Sequence, residues 1–219
     1  QTPAMATDES RLRDDLCRLG RSMFARGLTH GSTGNLSVRL PGGGYLMTPT
    51  GSNLGELDPA RLSKLDTQGR HLDGDKPTKE SFLHIAMYEE RERSAAVVHL
   101  HSTFSTAVSV LDGVDPDDVL PPLTAYYVMR IGSLPLVPYY APGDMNLAKA
   151  VRGLAGKHHA VLLANHGPVV AGSSLSAAAD AIEELEATAK LHLTLDGRAC
   201  RCLTPEQVAE LKARFPAQA

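Results

Sequence analysis

The chain has 219 residues, of which 42% are hydrophobic and 21% are charged, as in an ordinary globular domain. We expect a single domain spanning 1–219, because this length is enough to bury a substantial core. The net charge of -3 gives no reason to expect nucleic acid or an anionic membrane as a partner, and no apolar run approaches the length of a membrane span.

The N-terminus and the cysteines favour a cytoplasmic protein. The N-terminus is polar and lacks the apolar stretch of a signal peptide, and we expect residues 1–7 to be disordered or a remnant foreign to the protein. Cys17, Cys200 and Cys202 are an odd number without the spacing of a disulfide framework, which fits a reducing compartment. Cys200 and Cys202 resemble half of a zinc site, but no second pair completes the usual four ligands.

The first half of the chain is predicted to begin with a helix and to continue mainly as short strands. Leucines and a methionine recur at the helical period near the start, whereas later segments alternate between apolar and polar residues. Three consecutive glycines at 42–44 turn the chain into a hairpin. The predicted elements are a helix over 8–26, strands over 36–40 and 45–47, two short strands within 62–72, a helix over 81–91 and a strand over 95–100.

Two short loops flank the hairpin at its open end, over 29–35 and 48–52, and both are rich in Gly, Ser, Thr or Asn. Glycine lets a backbone approach a ligand closely, and exposed N–H groups with hydroxyls suit a phosphate. Neither loop matches a P-loop or a dinucleotide-binding fingerprint. Taken alone, each loop is more typical of a plain turn than of a phosphate site.

Helices and strands alternate in the second half. Ser102 or Thr103 is expected to cap a helix that carries Leu111 on its buried side. Prolines interrupt the strand predicted over 134–140, which places it near a sheet edge. The other predicted elements are a helix over 146–154, strands over 160–164 and 167–172, a long helix over 174–195 with Glu186 and Lys190 as an i,i+4 ion pair, and a final helix that begins at Thr204.

Three histidines stand at the ends of predicted apolar strands. His99 and His101 are two residues apart and so project from the same face of their strand, which suits two ligands of one metal ion. His166 follows another strand, and Glu80 lies at a helix start, where the helix dipole also favours a carboxylate. A His₃Glu set suits zinc and its borderline neighbours. Spacing alone does not show that the four residues meet, and separate polar side chains remain an alternative.

The other six histidines have no comparable context, and we expect them to be surface or structural residues. They are His30, His71, His84, His158, His159 and His192.

The chain resembles the class II aldolase/adducin-head family, typified by L-fuculose-phosphate aldolase, from about Leu12 to Leu195. The resemblance rests on the order and spacing of Gly34-Asn35-Leu36-Ser37, Thr50-Gly51, Glu80, His99-Leu100-His101, Tyr126 and Asn165-His166-Gly167. It implies a three-layer α/β fold in which helices flank a central, mostly antiparallel sheet. It also implies a fourfold-symmetric homotetramer with active sites at subunit interfaces.

The same resemblance implies roles for the site residues. The three histidines would bind a divalent metal, Zn²⁺ or another such as Mn²⁺ or Co²⁺. Glu80 would be a ligand in the resting site and an acid/base once substrate displaces it. The 4-epimerase branch of the family carries Asp at this position, so Glu80 favours bond cleavage. Tyr126 would be a proton donor from the neighbouring subunit, although the adjacent Tyr127 leaves that assignment open by one residue.

The family holds a substrate phosphate in the two loops and with the residues before the glutamate. This implies that Asn35, Thr50, Gly51, Thr78 and Lys79 bind the substrate. Members similar to fuculose-phosphate aldolase have two serines at the last two places, so the lysine adds a full positive charge. We expect Lys79 to contact either the phosphate or a substrate carboxylate.

Within the family the chain is more similar to the 3-oxo-tetronate 4-phosphate decarboxylases. This resemblance implies loss of carbon dioxide from a sugar-acid phosphate, through an enediolate, to give dihydroxyacetone phosphate. An aldolase would form the same enediolate from a sugar phosphate with an aldehyde as leaving group, and a non-catalytic adducin-like module is a further alternative. The segments that carry the resemblance to the decarboxylases are Pro77-Thr78-Lys79-Glu80-Ser81, Leu120-Pro121-Pro122-Leu123-Thr124, Tyr126-Tyr127-Val128-Met129-Arg130 and 163–172.

Overall fold

Eight strands form one sheet in the computed structural model, which describes residues 3–216. The strands are β1 Asn35–Arg39, β2 Tyr45–Met47, β3 Ser63–Leu65, β4 His71–Asp73, β5 Ala96–His99, β6 Leu136–Val137, β7 Ala160–Leu163 and β8 Gly167–Gly172. Their order across the sheet is β4-β3-β2-β1-β5-β8-β7-β6. Neighbouring strands run antiparallel except β6 and β7, which are parallel, so the sheet is mostly antiparallel as expected.

Helices cover both faces of the sheet. They are α1 Pro3–Ala25, α2 Ser81–Glu90, α3 Thr103–Ser109, α4 Ala125–Arg130, α5 Met145–Ala155, α6 Leu175–Thr194 and α7 Pro205–Arg214. Alternate residues of a strand point to opposite faces. Ala96 and Val98 therefore join a core with α1, α3, α4 and α6, whereas Val97 joins a second core with α2 and α5. The expected three-layer α/β arrangement is confirmed.

Most predicted elements are present, with shifts of a residue or two at their ends. The N-terminal helix is longer than predicted, because it begins at Pro3 rather than at residue 8. Residues 1 and 2 and the side chains of residues 3–7 lie outside the described part, so their expected foreign origin stays a prediction. The proline-interrupted segment forms only the two-residue strand β6, and it lies at the sheet edge as predicted.

Two side-chain predictions were wrong. Leu111 is 41% exposed, because α3 ends at Ser109 and leaves it outside the helix. Glu186 does not pair with Lys190. Its carboxylate is buried and accepts hydrogen bonds at the start of α3, while the Lys190 ammonium lies 5.4 Å from the centre of the Phe104 ring.

Among the described residues, no helix is both long enough and apolar enough to cross a membrane.

Candidate active site

Strand pairing brings the three site histidines to one end of the sheet. His99 is the last residue of β5, and His101 follows two residues later. His166 lies in the turn that joins β7 to β8. Since β8 runs antiparallel to β5 with Val169 opposite His99, the β7–β8 turn stands beside the end of β5. Glu80 reaches the same point from the other side, at the N-terminus of α2.

The four predicted ligand residues meet, and their ligand atoms all lie within 4.8 Å of one another. Oε2 of Glu80 is 3.1 Å from Nε2 of His99 and 2.9 Å from Nε2 of His166. Nε2 of His99 is 3.2 Å from that of His166 and 3.3 Å from that of His101. Three imidazole nitrogens and a carboxylate oxygen that converge in this way match the donor set of a divalent metal such as zinc.

The imidazole of His99 is oriented for metal binding by a hydrogen bond on its far side. Nδ1–H donates to the carbonyl oxygen of Pro168 at 2.8 Å, which directs Nε2 at the cluster. Burial, followed by the charges of His99 and His166, lowers the pKa of His101 to about 4. The ring of His101 is therefore neutral at physiological pH, as a ligand requires.

The backbone around His166 explains the Asn165-His166-Gly167 motif. Asn165 has a φ of 57° and is the only residue other than glycine with positive φ in the part of the chain described. Asparagine tolerates this conformation better than most residues. A Cβ on Gly167 would lie 2.3 Å from the carbonyl oxygen of Leu100, so only glycine lets β8 approach the residue between His99 and His101.

The side chain of Glu80 contacts the histidine cluster and does not cap its own helix. It occupies the N-cap position of α2 but makes no side-chain capping hydrogen bond. Burial alone would raise the pKa of Glu80, but the charge of His99 and hydrogen bonds from His166 and His99 hold this pKa well below its usual range. The carboxylate is thus ionised when it faces the histidines.

Two of the predicted phosphate-binding residues lie beside Glu80. Nδ2 of Asn35 is 3.2 Å from Oγ1 of Thr78 and 3.2 Å from Oε1 of Glu80. Oγ1 of Thr78 also accepts from the backbone N–H of Glu80 at 3.2 Å. These contacts join the start of β1 to the residues that precede α2.

The second predicted phosphate loop is attached to the same segment. The N–H of Thr50 donates to the carbonyl oxygen of Lys76 at 2.9 Å, and Pro49 and Pro77 form an isolated bridge. Gly51 has a φ of 67°, and a Cβ there would meet no atom within 4 Å, so the loop backbone is open. Lys79 is exposed next to Thr78. Side-chain and backbone contacts thus join the two loops to residues 76–80 beside the histidines.

Tyr126 is not brought to this cluster within the described chain. It is 62% exposed on α4, which belongs to the helical layer opposite α2, and no side-chain hydrogen bond links it to the other described residues. Tyr127 is 1% exposed, and its hydroxyl is buried. Of the two tyrosines, only Tyr126 has an exposed side chain.

His84 is a residue near the site that the sequence analysis missed. Its buried imidazole contacts Asn35 and Ser37, so it stands behind the residues that touch Glu80. The signal was its spacing: His84 follows Glu80 by four residues and so lies on the same face of α2. Ser37 likewise shares a strand face with Asn35.

The sequence matches the family model for the Class II Aldolase and Adducin N-terminal domain over residues 14–193. The chain is 54% identical over 205 residues to a protein of Escherichia coli O6:H1 named 3-oxo-tetronate 4-phosphate decarboxylase, covering 94% of this chain and 97% of that one. It is 34% identical over 174 residues to L-fuculose phosphate aldolase of the same organism, covering 78% of each chain. The crystal structure of YgbL from Escherichia coli, a candidate aldolase/epimerase/decarboxylase, superposes with a TM-score of 0.92 at 53% identity, over 93% of this chain and 99% of that one.

Proposed function

Because the chain belongs to the Class II Aldolase and Adducin N-terminal domain family, we propose that it is a metal-dependent lyase that converts a 3-oxo-tetronate 4-phosphate to dihydroxyacetone phosphate and carbon dioxide. The observation that carries this proposal is the 54% identity to a decarboxylase of that name over 94% of the chain. The complete His₃Glu cluster supports it, because three imidazoles with a carboxylate that substrate can displace resemble the donor sets of catalytic metal sites rather than the cysteine-rich sets of structural ones.

His99, His101 and His166, with Glu80 in the resting site, are the residues that would hold the metal. We propose Zn²⁺, or another divalent ion such as Mn²⁺ or Co²⁺, because imidazole is a good ligand for each of them. When bound, the ion supplies Lewis acidity that stabilises negative charge on the substrate oxygens.

Proton transfer falls to residues of the chain. When carbon dioxide leaves a β-keto acid, the electrons of the broken carbon–carbon bond remain on the substrate as an enediolate, which must then take a proton. Glu80 suits this role because burial raises the pKa of its carboxyl while the histidines lower it. If substrate moves the carboxylate away from the histidines, burial dominates and Glu80 becomes able to carry a proton.

Tyr126 is the second candidate donor, and we propose that it acts in the site of a neighbouring subunit. Its exposed position in the layer opposite α2 supports this arrangement, and the buried hydroxyl of Tyr127 makes that residue unsuitable. The proposal requires a homo-oligomer with active sites at subunit interfaces, which we take to be a homotetramer.

The phosphate of the substrate would be held by Asn35, Thr50, Gly51 and Thr78. Their support is the set of contacts that join the two loops to the residues before α2, beside the residues proposed to bind the metal. Lys79 stands exposed next to Thr78, where an ammonium group favours either the phosphate or the substrate carboxylate.

The test is incubation of the purified, metal-loaded protein with 3-oxo-tetronate 4-phosphate, with dihydroxyacetone phosphate and carbon dioxide measured separately. We expect both products in equal amounts, and the matched variant Glu80→Gln should form neither at a comparable rate. The second candidate function is an aldolase, favoured by the 34% identity to L-fuculose phosphate aldolase. Aldehyde release from L-fuculose 1-phosphate, without decarboxylation of the acid, would establish that alternative instead.

A further inference from the structure

A buried chain of hydrogen bonds runs from the interior of the second core to the active site. The hydroxyl of Tyr88 is 2.8 Å from Oγ of Ser37, which is 2.6 Å from Nδ1 of His84. Nε2 of His84 is 2.5 Å from Oδ1 of Asn35, whose Nδ2 contacts Glu80 and Thr78. The side chains of Tyr88, Ser37, His84 and Asn35 belong to residues that are at most 3% exposed.

The Glu80 carboxylate, at one end of these hydrogen bonds, determines which group donates and which accepts in each of them. An ionised Glu80 only accepts hydrogen bonds, so Asn35 must turn its NH₂ group toward it and its oxygen toward His84. His84 must then donate from Nε2, which leaves Nδ1 to accept from the hydroxyl of Ser37. Ser37 in turn accepts from Tyr88. With a neutral His84, only one arrangement of protons satisfies all four residues together with an ionised Glu80.

We propose that His84 is a positioning residue for Glu80: its Nε2–H fixes the amide of Asn35 with the NH₂ group directed at the Glu80 carboxylate and at Thr78. This inference rests on the acid/base role proposed for Glu80. This positioning role does not require His84 to contact the substrate. The imidazole acts through Asn35, which holds one carboxylate oxygen of Glu80 while the histidines face the other.

The environment of His84 suits a fixed neutral donor. Burial, followed by the charge of His99, lowers the pKa of His84 to about 3, so the ring carries one N–H at physiological pH. If Asn35 lost this partner, its side-chain amide could flip and exchange the positions of its oxygen and nitrogen. Its oxygen would then face Oε1 of Glu80, and two acceptors would stand together in a buried site.

The first test reads the imidazole directly and needs no substrate. Nitrogen-15 NMR of the metal-loaded protein distinguishes the two neutral forms of a histidine ring and its protonated form. We expect the His84 signals to show the Nε2–H form throughout the neutral pH range, with assignment from the signals missing in His84→Gln. An Nδ1–H form or a protonated ring would overturn the proposal, because Asn35 would then present the wrong atom to Glu80.

The second test compares His84→Leu with His84→Gln. Leucine fills the space but donates nothing, whereas glutamine can place an amide N–H near the position of Nε2. We expect His84→Leu to lower kcat by about 10–100-fold with a smaller change in KM and with bound metal unchanged, the usual cost of losing a partner behind a metal site. His84→Gln should recover most of that loss. Equal losses in both variants, or an unchanged kcat in His84→Leu, would overturn the proposal.

His159→Leu is the matched control, since it makes the same change at another packed histidine. Nε2 of His159 bonds the carbonyl oxygen of Arg130 at 2.7 Å, and His159 stands at the opposite end of β7 from His166. We expect this variant to lose thermal stability without the fall in kcat. If the wild-type protein does not decarboxylate 3-oxo-tetronate 4-phosphate, the proposed function fails, and the NMR result still decides the role of His84.

Discussion

At the scale of single residues, the site is built from contacts on both sides of each functional group. His99 faces Glu80 with Nε2 and is held from behind by the carbonyl oxygen of Pro168. Glu80 faces the histidines with one oxygen and Asn35 with the other. Each group has therefore little freedom to turn, and a substitution at one of them should change one measurable property more than the others.

His101→Ala should lose both metal and activity, because only two of the three histidine ligands remain beside Glu80. Glu80→Gln should keep most of the metal on the three histidines but lower kcat by about 10²–10⁴-fold, since the amide cannot carry a proton. Metal content after dialysis and turnover of 3-oxo-tetronate 4-phosphate check both. His71→Ala, at an exposed histidine of β4, is the control. Near-normal turnover in Glu80→Gln would exclude its acid/base role.

Lys79→Ala should raise the substrate KM about tenfold, because a charged hydrogen bond to an anionic group is lost. Lys76→Ala, at an exposed lysine three residues earlier, should leave KM unchanged. Inhibition by dihydroxyacetone phosphate separates the two contacts proposed for Lys79. Weaker inhibition in Lys79→Ala indicates the phosphate, and equal inhibition indicates the carboxylate. An unaltered KM would show that Lys79 touches neither.

The stability of the fold should depend on pH through His84. The pKa of His84 is about 3 in the folded chain, below its ordinary value of 6.5, so the unfolded chain takes up a proton first as pH falls. The contribution to the free energy of unfolding is complete above about pH 6.5 and decreases toward pH 3, by at most about 1.4 kcal/mol per pH unit. The free energy of unfolding, measured with urea at several pH values, should depend less steeply on pH for His84→Gln than for the wild type. Parallel curves would contradict this.

At the scale of elements, α3 depends on α6 for its N-terminal cap. Ser102 stands at the N-cap position of α3 without a side-chain capping bond. The Glu186 carboxylate of α6 takes its place and accepts from the N–H of Phe104 at 3.2 Å and from the N–H and hydroxyl of Ser105 at 2.7 and 2.8 Å. Because α3 begins two residues after His101, this contact also ties the metal site to the long helix.

Glu186→Ala should lower the free energy of unfolding by about 1–3 kcal/mol, because buried donors of α3 lose their acceptor. Glu186→Gln retains one acceptor oxygen and should lose less. Urea denaturation measures both, with Glu184→Ala on the same helix as a control whose side chain makes no bond to α3. A loss in Glu184→Ala as large as that in Glu186→Ala would show that the capping contact is not the cause.

At the scale of the whole molecule, the role proposed for Tyr126 requires more than one chain. Glu80 and Tyr126 belong to opposite helical layers, and Tyr126 is exposed. A site that uses both residues is then shared between neighbouring subunits of a symmetric oligomer.

Mixing two inactive variants should restore activity if the site is shared. Glu80→Gln and Tyr126→Phe chains, co-expressed in equal amounts, would pair an intact Glu80 with an intact Tyr126 at about a quarter of the interfaces of a ring. We expect activity of that order from the mixture and almost none from either variant alone. Co-expression of Glu80→Gln with His101→Ala is the control, because both changes fall in the same half of the site. A mixture no more active than its components would place Tyr126 outside the neighbouring site.

The sequence by itself determined most of the elements and the identity of the residues in the His₃Glu cluster. Alternation and helical spacing are local properties, so β2 and β8 have the predicted bounds and α2 begins where it was predicted. The order of the Gly-Asn, Glu, His-x-His and Asn-His-Gly motifs indicated the family, and hence Glu80 and the three histidines as one set.

Only the tertiary structure decided which side chains meet. His99 and His166 are 67 positions apart, and their contact depends on the register between β5 and β8, which no local pattern encodes. Glu186 was predicted to pair along its own helix, but a buried carboxylate gains more from the unpaired N–H groups of α3 than from an exposed lysine. His84 and the choice between Tyr126 and Tyr127 likewise depend on burial, which is set by how the layers pack.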